Sequence, residues 1–472
     1  MAKDNFNRRE FIKAVGLSAA SSALPFSAGC MDGQNVKSGK PNVLFIAVDD
    51  LRPQINCYGH SQMISPNIDA LASSGTVFSR CYCQVPVCGA SRASLLTGTR
   101  PTRSRFVTHY ASADREIPGA TVLPRYFKNN GYYTISNGKI FHHRKDSIEG
   151  WSEKPWFPEG VWLNYLKKEN IDMVNNNGSR RGPAYESADA PDNAYFDGKI
   201  ADKAISDLRR LNKMDKPFFL AVGFVKPHLP FNAPKKYWDL YDREKIDLAD
   251  NPFRPKGAPD AALHNWGELR QYAGIPGKGP LSDEMARTLV HGYYACVSYT
   301  DAQIGLVIGE LDRLGLRDNT IIVLWGDHGW QLGEHGMWCK HCNFETSLHS
   351  PLIVSARYFK GGQKTNALTE FVDIYPSLCD LCGLQLPGHL QGNSFVPLLR
   401  KPNKKWKKAV FSRYRDGDSV RTDRYRYTEY TNDKGQVYAR MLYDHQLDPM
   451  ENVNISELPE NRELVERLRK VL

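Results

Sequence analysis

Two pairs of residues in this chain have the makings of a metal site. Asp49 and Asp50 stand side by side at the end of one apolar run, and Asp327 and His328 stand between glycines at the end of another. Three carboxylates with few neutral donors suit a hard divalent ion such as Ca²⁺ or Mg²⁺. Each Asp taken singly reads as a turn or cap residue. The combination is more specific, because both pairs must converge on one sheet edge. Two Cys-x-x-Cys pairs, Cys339 with Cys342 and Cys379 with Cys382, invite a zinc reading. Residues 343 to 378, 36 in all, separate them, against the roughly 15–20 of a zinc ribbon. Residues 373–381 also read as one helix packing an apolar side inward. No zinc site is expected.

The elements that must carry these residues follow from the apolar runs. Residues 42–48, 220–225 and 320–325 are short and continuously apolar, as befits central parallel strands buried on both faces. Each ends in polar residues: Asp49-Asp50, Lys226-Pro227-His228 and Gly326-Asp327-His328-Gly329. Helix-like stretches, such as 201–210 and 300–314, lie between them. Such alternation predicts an α/β fold with a large, mostly parallel sheet flanked by helices. Ligands in such sheets bind beyond the carboxyl ends of the strands. After residue 400, segments 409–414, 419–430 and 438–444 alternate polar with β-branched or aromatic residues. They predict a small antiparallel sheet, closed by a helix over 459–472. The expected division is an export signal over 1–30, a catalytic α/β domain over 31–400 and an α+β subdomain over 401–472.

Cys88-Gly89-Ala90-Ser91-Arg92 leads into Leu95-Leu96-Thr97-Gly98. By itself Cys88 also reads as a small buried hydrophobe. The segment resembles the signature of type I sulfatases: Cys, Pro or Ala two residues on, Arg four on, then Leu-Thr-Gly. Similar stretches recur along the chain, among them Ser65 to Asp69, Gly138-Lys139, Lys226-Pro227-His228 and Gly333-Glu334-His335-Gly336. Within the family, the iduronate 2-sulfatase branch is most similar, through Asp50-Leu51-Arg52-Pro53, Gly138 to His142, and Tyr425-Arg426-Tyr427. The resemblance implies an alkaline-phosphatase-like sulfatase fold and a Cys88 oxidised to formylglycine. It implies Asp49, Asp50, Asp327 and His328, with position 88, as ligands of a divalent cation, Ca²⁺ ahead of Mg²⁺. Arg92 and Lys139 would hold the formylglycine oxygens, and His142 would be the base for elimination. His228 and Lys340 would meet the departing oxygen.

The chemistry accounts for these types. A thiol attacking a sulfate ester would end in a trapped thio-sulfate, whereas a hydrated aldehyde offers one hydroxyl to attack and another to release sulfate. Cations around the sulfuryl group stabilise its growing equatorial charge. Spacing from Lys139 favours His142 over its neighbour His143. Lys226 is read as a supporting or substrate-facing residue, His335 and His341 as structural or substrate-lining, and Trp330 as a subsite or core aromatic. In the family, Ala at position 90 goes with the radical, oxygen-independent maturation route more than with the copper-dependent one.

With 41% apolar, 24% charged and 11% aromatic residues over 472, the chain is neither disordered nor collagenous. Beyond the first thirty residues, no apolar run is long enough to span a bilayer. The net charge is 62 − 52 = +10. Residues 1–29 contribute Lys3, Arg8, Arg9 and Lys13 against Asp4 and Glu10, leaving +8. Such a balance suits an anionic partner, and the expected one is a sulfated glycan rather than nucleic acid. A formylglycine-generating enzyme is the other expected partner. The densest basic run, 401–408, reads as an exposed linker. Asn7-Arg8-Arg9-Glu10-Phe11-Ile12-Lys13 before a weakly apolar stretch resembles a twin-arginine signal. Ala28-Gly29-Cys30 resembles a lipoprotein boundary, which would give Cys30 a lipid anchor; plain cleavage is the alternative. The periplasm or cell surface of a bacterium is the expected location. Two other readings stand beside sulfate-ester hydrolysis of a 2-O-sulfated uronic acid: a phosphatase or phosphonate hydrolase of the same superfamily, and a non-catalytic glycan-binding lipoprotein.

Overall fold

The computed structural model describes residues 39–176 and 181–472. The expected export signal and Cys30 lie outside the described residues. Seven strands form the central sheet: β1 (Asn42–Val48), β2 (Thr76–Phe78), β3 (Tyr133–Gly138), β4 (Phe218–Phe224), β5 (Thr320–Gly326), β6 (Leu352–Ser355) and β7 (Gln363–Thr365). Their order is β7-β2-β6-β5-β1-β4-β3. β3, β4, β1 and β5 run parallel, and only β6 reverses, pairing antiparallel with β5 and β2. The expected mostly parallel sheet is present.

Continuous apolar runs form its middle because both faces are covered. Leu44, Ile46 and Val48 of β1 enter one core layer, and Val43, Phe45 and Ala47 enter the other. The first layer is roofed by α1 (Pro66–Ser73), α3 (Phe196–Leu211) and α4 (Asp283–Arg313). The second is roofed by α2 (Cys88–Thr97) and α5 (Ile374–Leu381), the latter close to the helix expected at 373–381. Cys379 and Cys382 lie in the second layer and Cys339 and Cys342 in the first, so the two Cys-x-x-Cys pairs sit on opposite faces of the sheet. α4 extends well beyond the expected helix at 300–314. Among the described residues, no helix is long and apolar enough to cross a membrane.

The carboxyl-terminal sheet is antiparallel in chain order: β8 (Ala409–Tyr414), β9 (Gly417–Thr422), β10 (Tyr425–Thr431) and β11 (Val437–Asp444). The stretch 419–430 is two strands rather than one, because the chain turns at Asp423-Arg424. Thr422 Oγ1 accepts from the Tyr425 amide at 2.9 Å, closing that turn without glycine or proline. Helix α6 (Arg462–Arg469) lays Val465 and Leu468 on Val420, Tyr427 and Leu442. Ion pairs tie this sheet to the main body: Lys407 to Glu370 and Asp373 at 2.6 Å each, and Arg421 to Glu345 at 3.3 Å. Arg426 also reaches Glu345, and lies 3.0 Å from Glu451.

Candidate active site

The central strands deliver the acids. Asp49 and Asp50 follow β1, and Asp327 and His328 follow β5; all four are fully buried. The strand ladder continues one residue past β1, with the Asp49 amide donating to Phe224 O at 3.2 Å. Asp50 then takes a positive φ of 59°, and its amide donates to Asp327 Oδ1 at 2.9 Å. That bond links the two strand ends.

Cys88 is the first residue of α2, which an extended Val87 precedes. Its sulfur lies 3.2 Å from His328 Nε2 and 3.7 Å from Asp50 Oδ1. Burial pushes the thiol well above its usual range, so Cys88 is held as a neutral thiol. A neutral thiol is a poor nucleophile.

Arg92 sits one helical turn on and is wholly buried. Its Nε donates to Asp327 Oδ2 at 2.8 Å, its Nη2 to Asp49 Oδ1 at 3.1 Å and its Nη1 to the Ile140 carbonyl at 3.0 Å. Lys139 pairs with the other Asp49 oxygen. Burial alone would raise the Asp49 carboxyl, but Lys139 and Arg92 outweigh it and hold the group well below the carboxylate range. Lys139 owes its place to two glycines. A Cβ on Gly223 would fall 2.1 Å from the Lys139 carbonyl oxygen, and one on Gly138 (φ 74°) would fall 2.2 Å from Gly223 O. Only bare backbone lets β3 and β4 close at this point.

The donor set fits a hard divalent cation. Ligand atoms of Asp49, Asp50, Cys88 and His228 lie within 4.8 Å of one another, as do those of Cys88, Asp327 and His328. His328 Nδ1 lies 2.9 Å from Gly329 O, which can only accept. Hydrogen therefore sits on Nδ1, and Nε2 is the nitrogen turned towards Cys88 and the acids.

A cavity of 520 Å³ opens over Cys88 and Asp49, walled by Lys139, His142, His228 and Lys340. All the expected catalytic residues line it except Arg92, which works from beneath. His142 lines this space. Its Nδ1 is buried without a partner, and burial, reinforced by Lys139, drives the imidazole down to about 2. It is a neutral ring with an unused lone pair, open to a hydrogen bond from the cavity.

Lys340 Nζ lies 3.0 Å from Asp50 Oδ2 and 4.6 Å above the Trp330 ring centre. Trp330 itself is 1% exposed and packs edge-on against Phe231. It is a core platform under Lys340 and no subsite residue. Lys226 also faces inward, donating to the carbonyls of His228 at 2.9 Å and Pro230 at 2.6 Å, so it supports the His228 loop. His335 stacks on Phe344 and bonds the Met450 carbonyl at 2.8 Å, a structural role. His341 lines the cavity.

Sequence reasoning missed Glu268, Arg144, Arg181 and Trp162, which also line the cavity. They stand on loops, where no periodicity marks them. A larger hollow of 790 Å³, around Tyr185, Trp238 and His291, shares none of the expected site residues.

Comparison with known proteins decides what class of site this is. The Sulfatase family model matches residues 41–384, and a model described as N-sulphoglucosamine sulphohydrolase, C-terminal, matches residues 333–472. The chain belongs to the sulfatase family. Human iduronate 2-sulfatase is 36% identical to this sulfatase over 408 residues, 76% of this chain and 72% of the relative. Among solved structures, a phosphonate monoester hydrolase of Agrobacterium radiobacter is 22% identical with a TM-score of 0.74, covering 92% of this chain and 94% of that one. A 2-O GAG sulfatase is 24% identical with a TM-score of 0.66, covering 92% and 91%. Those likenesses establish the fold. Members of the family use a formylglycine made from Cys together with a divalent cation, and the buried Asp, Cys and His cluster of this sulfatase is compatible with both. The protein is an enzyme, a sulfuric ester hydrolase.

Proposed function

We propose that this sulfatase removes the 2-O-sulfate of a uronic acid in a sulfated carbohydrate, using a formylglycine made from Cys88. One observation carries the reading: Cys88 opens a helix directly over Asp49, Asp50, Asp327 and His328, at the floor of a cavity walled by Lys139, His142, His228 and Lys340. The sugar rests on similarity to iduronate 2-sulfatase and agrees with the net charge of +10.

Asp49, Asp50, Asp327 and His328 would hold the divalent cation, for which we infer Ca²⁺. Such a cation supplies Lewis acidity, drawing charge from the sulfuryl oxygens and acidifying a hydroxyl at position 88. Once oxidised and hydrated, position 88 carries two hydroxyls on one carbon. Arg92 and Lys139 fix the charge and orientation of the groups beside it. Lys340 and His228 face the opposite side, where the sugar oxygen departs. His142, neutral and without a partner at Nδ1, takes the proton of the second hydroxyl, so that the carbonyl reforms and sulfate leaves. Lys139 and Lys340, which line the cavity, can meet oxygens that gain charge in the transition state, while Arg92 acts through Asp49 and Asp327.

The test is a panel of defined disaccharides sulfated at O2 of the uronic acid, or at O6 or N of the amino sugar, with released sulfate measured. Release from the 2-O-sulfated members alone is expected. Release confined to the amino sugar would contradict the substrate assignment. A phosphonate monoester hydrolase shares this fold, and hydrolysis of a phosphoryl ester is the second reading. Faster turnover of an aryl phosphate than of the matching aryl sulfate would favour that reading.

A further inference from the structure

Glu268 is a carboxylate with no part in the chemistry described so far, set among groups that have one. Its side chain is 14% exposed, and the neighbouring Trp266 and Leu269 anchor its loop in the core. Its backbone carbonyl accepts from Arg181 Nη1 at 3.1 Å. The carboxylate spans two groups on the leaving-oxygen side: Lys340 Nζ lies 3.0 Å from Oε1 and 2.9 Å from Oε2, and His228 Nε2 lies 3.2 Å from Oε1. The other ring nitrogen of His228 is held at 2.6 Å by the Leu229 carbonyl. Leu229 O and Glu268 Oε1 are both acceptors, so a ring with hydrogen on each nitrogen satisfies both contacts. Lys340 is likewise caught between two acids, Asp50 and Glu268. Asp50 belongs to the cation set, which leaves Glu268 to direct Lys340 away from it.

We propose that Glu268 is a positioning residue that aims the Lys340 ammonium and the His228 Nε2–H jointly at the departing sugar oxygen. The proposal rests on the sulfuryl-transfer reading of the Cys88 site. When the S–O bond breaks, its electron pair stays on the sugar oxygen, and the proton that His228 Nε2 shares between Glu268 Oε1 and the substrate moves to that oxygen. Without Glu268, Lys340 would keep Asp50 at 3.0 Å and the Trp330 ring, and His228 Nε2 would keep only Asp50 at 3.8 Å, so neither donor would be directed away from the cation set.

The need for such help depends on the leaving group. A sugar alkoxide is a poor leaving group and gains from a well-aimed donor, whereas a nitrophenolate departs with little assistance. General acid assistance contributes roughly 100-fold to 10,000-fold, so Glu268→Gln, which keeps the shape of the side chain, should lower kcat on a sugar sulfate by about 100-fold or more. Turnover of nitrophenyl sulfate should fall by less than about 10-fold. Across a series of aryl sulfates, the dependence of rate on the acidity of the leaving phenol should steepen. Glu268→Asp, with a shorter carboxylate, should fall between wild type and Glu268→Gln. Equal losses on every ester, or no loss on the sugar sulfate, would overturn the proposal; equal losses with a lowered Tm would mark a purely structural carboxylate. Wild-type protein, converted at Cys88 yet inert to all these esters, would instead bring down the sulfuryl-transfer reading and this assignment with it.

Discussion

At the scale of single residues, chemistry was legible where a residue type had a local reason to stand out. The acids end strands that announce themselves by hydrophobicity, so short windows of sequence marked them, whereas Cys88 and Arg92 stood out through resemblance to the sulfatase signature, Cys88 by itself reading equally as a buried hydrophobe. Glu268 and Trp162 were invisible because their roles depend on neighbours far along the chain: Glu268 meets Lys340 and His228 across loops. Trp330 stayed open between subsite and core for the complementary reason, since its closeness to Asp327 and His328 in sequence says nothing about which way the ring turns. The neutral His142 has a consequence for pH. Its folded imidazole lies at about 2, far below the ordinary value near 6.5 expected once unfolded. Between these values the unfolded chain binds the extra proton, so stability from this group is complete above about pH 6.5 and is lost progressively as pH falls. The slope from one such group is at most ~1.4 kcal/mol per pH unit. His142→Gln should therefore flatten the acid side of a stability–pH curve from urea unfolding; an unchanged slope would mean the ring is protonated in the fold.

At the scale of elements, the strands were easier to read than the helices. β1 and β5 are buried on both faces, and such strands have to be continuously apolar. α4 fails to show a stripe for a related reason. Every residue from Thr288 to Asp301 is buried, including Tyr293, Tyr294, Cys296 and Tyr299, and a helix covered all round has no polar face to set its period. Only its more amphipathic end, near 300–314, looked helical. The closure of β3 on β4 gives a second prediction. Gly223→Ala would drive a methyl group into the Lys139 carbonyl, forcing the strand ends apart. Overpacking of this kind costs about 1–3 kcal/mol, and because Lys139 moves with its backbone, turnover should fall further than stability accounts for. Equal loss in Gly223→Ala and in a control overpacked away from the site would show that the closure has no catalytic consequence.

At the scale of the molecule, the carboxyl-terminal sheet completes the body that carries the site. Lys407 neutralises the buried Glu370 and Asp373, while Arg421 and Arg426 neutralise Glu345. Removing the cations would leave Asp373 buried without its lysine and Glu345 without its arginines, a loss of about 3–5 kcal/mol for a single broken buried pair, while Glu370 would keep Arg100. A chain ending at residue 400 should accordingly lose cooperative thermal unfolding and remain inactive, and a sharp, wild-type-like transition would contradict the interlocking. The composition change near residue 400 revealed the sheet, but the sequence held no sign of these cross-ties, because each partner lies dozens of residues away or more.

The central claim is that position 88 must become an aldehyde before the site turns over. Preparations made with different amounts of maturing enzyme can be compared by the mass of the peptide spanning residues 81–100 and by turnover of one sulfate ester. Turnover should rise in proportion to the fraction of Cys88 converted and extrapolate to zero at no conversion. Full turnover in a preparation whose Cys88 is entirely an unmodified thiol would contradict the account.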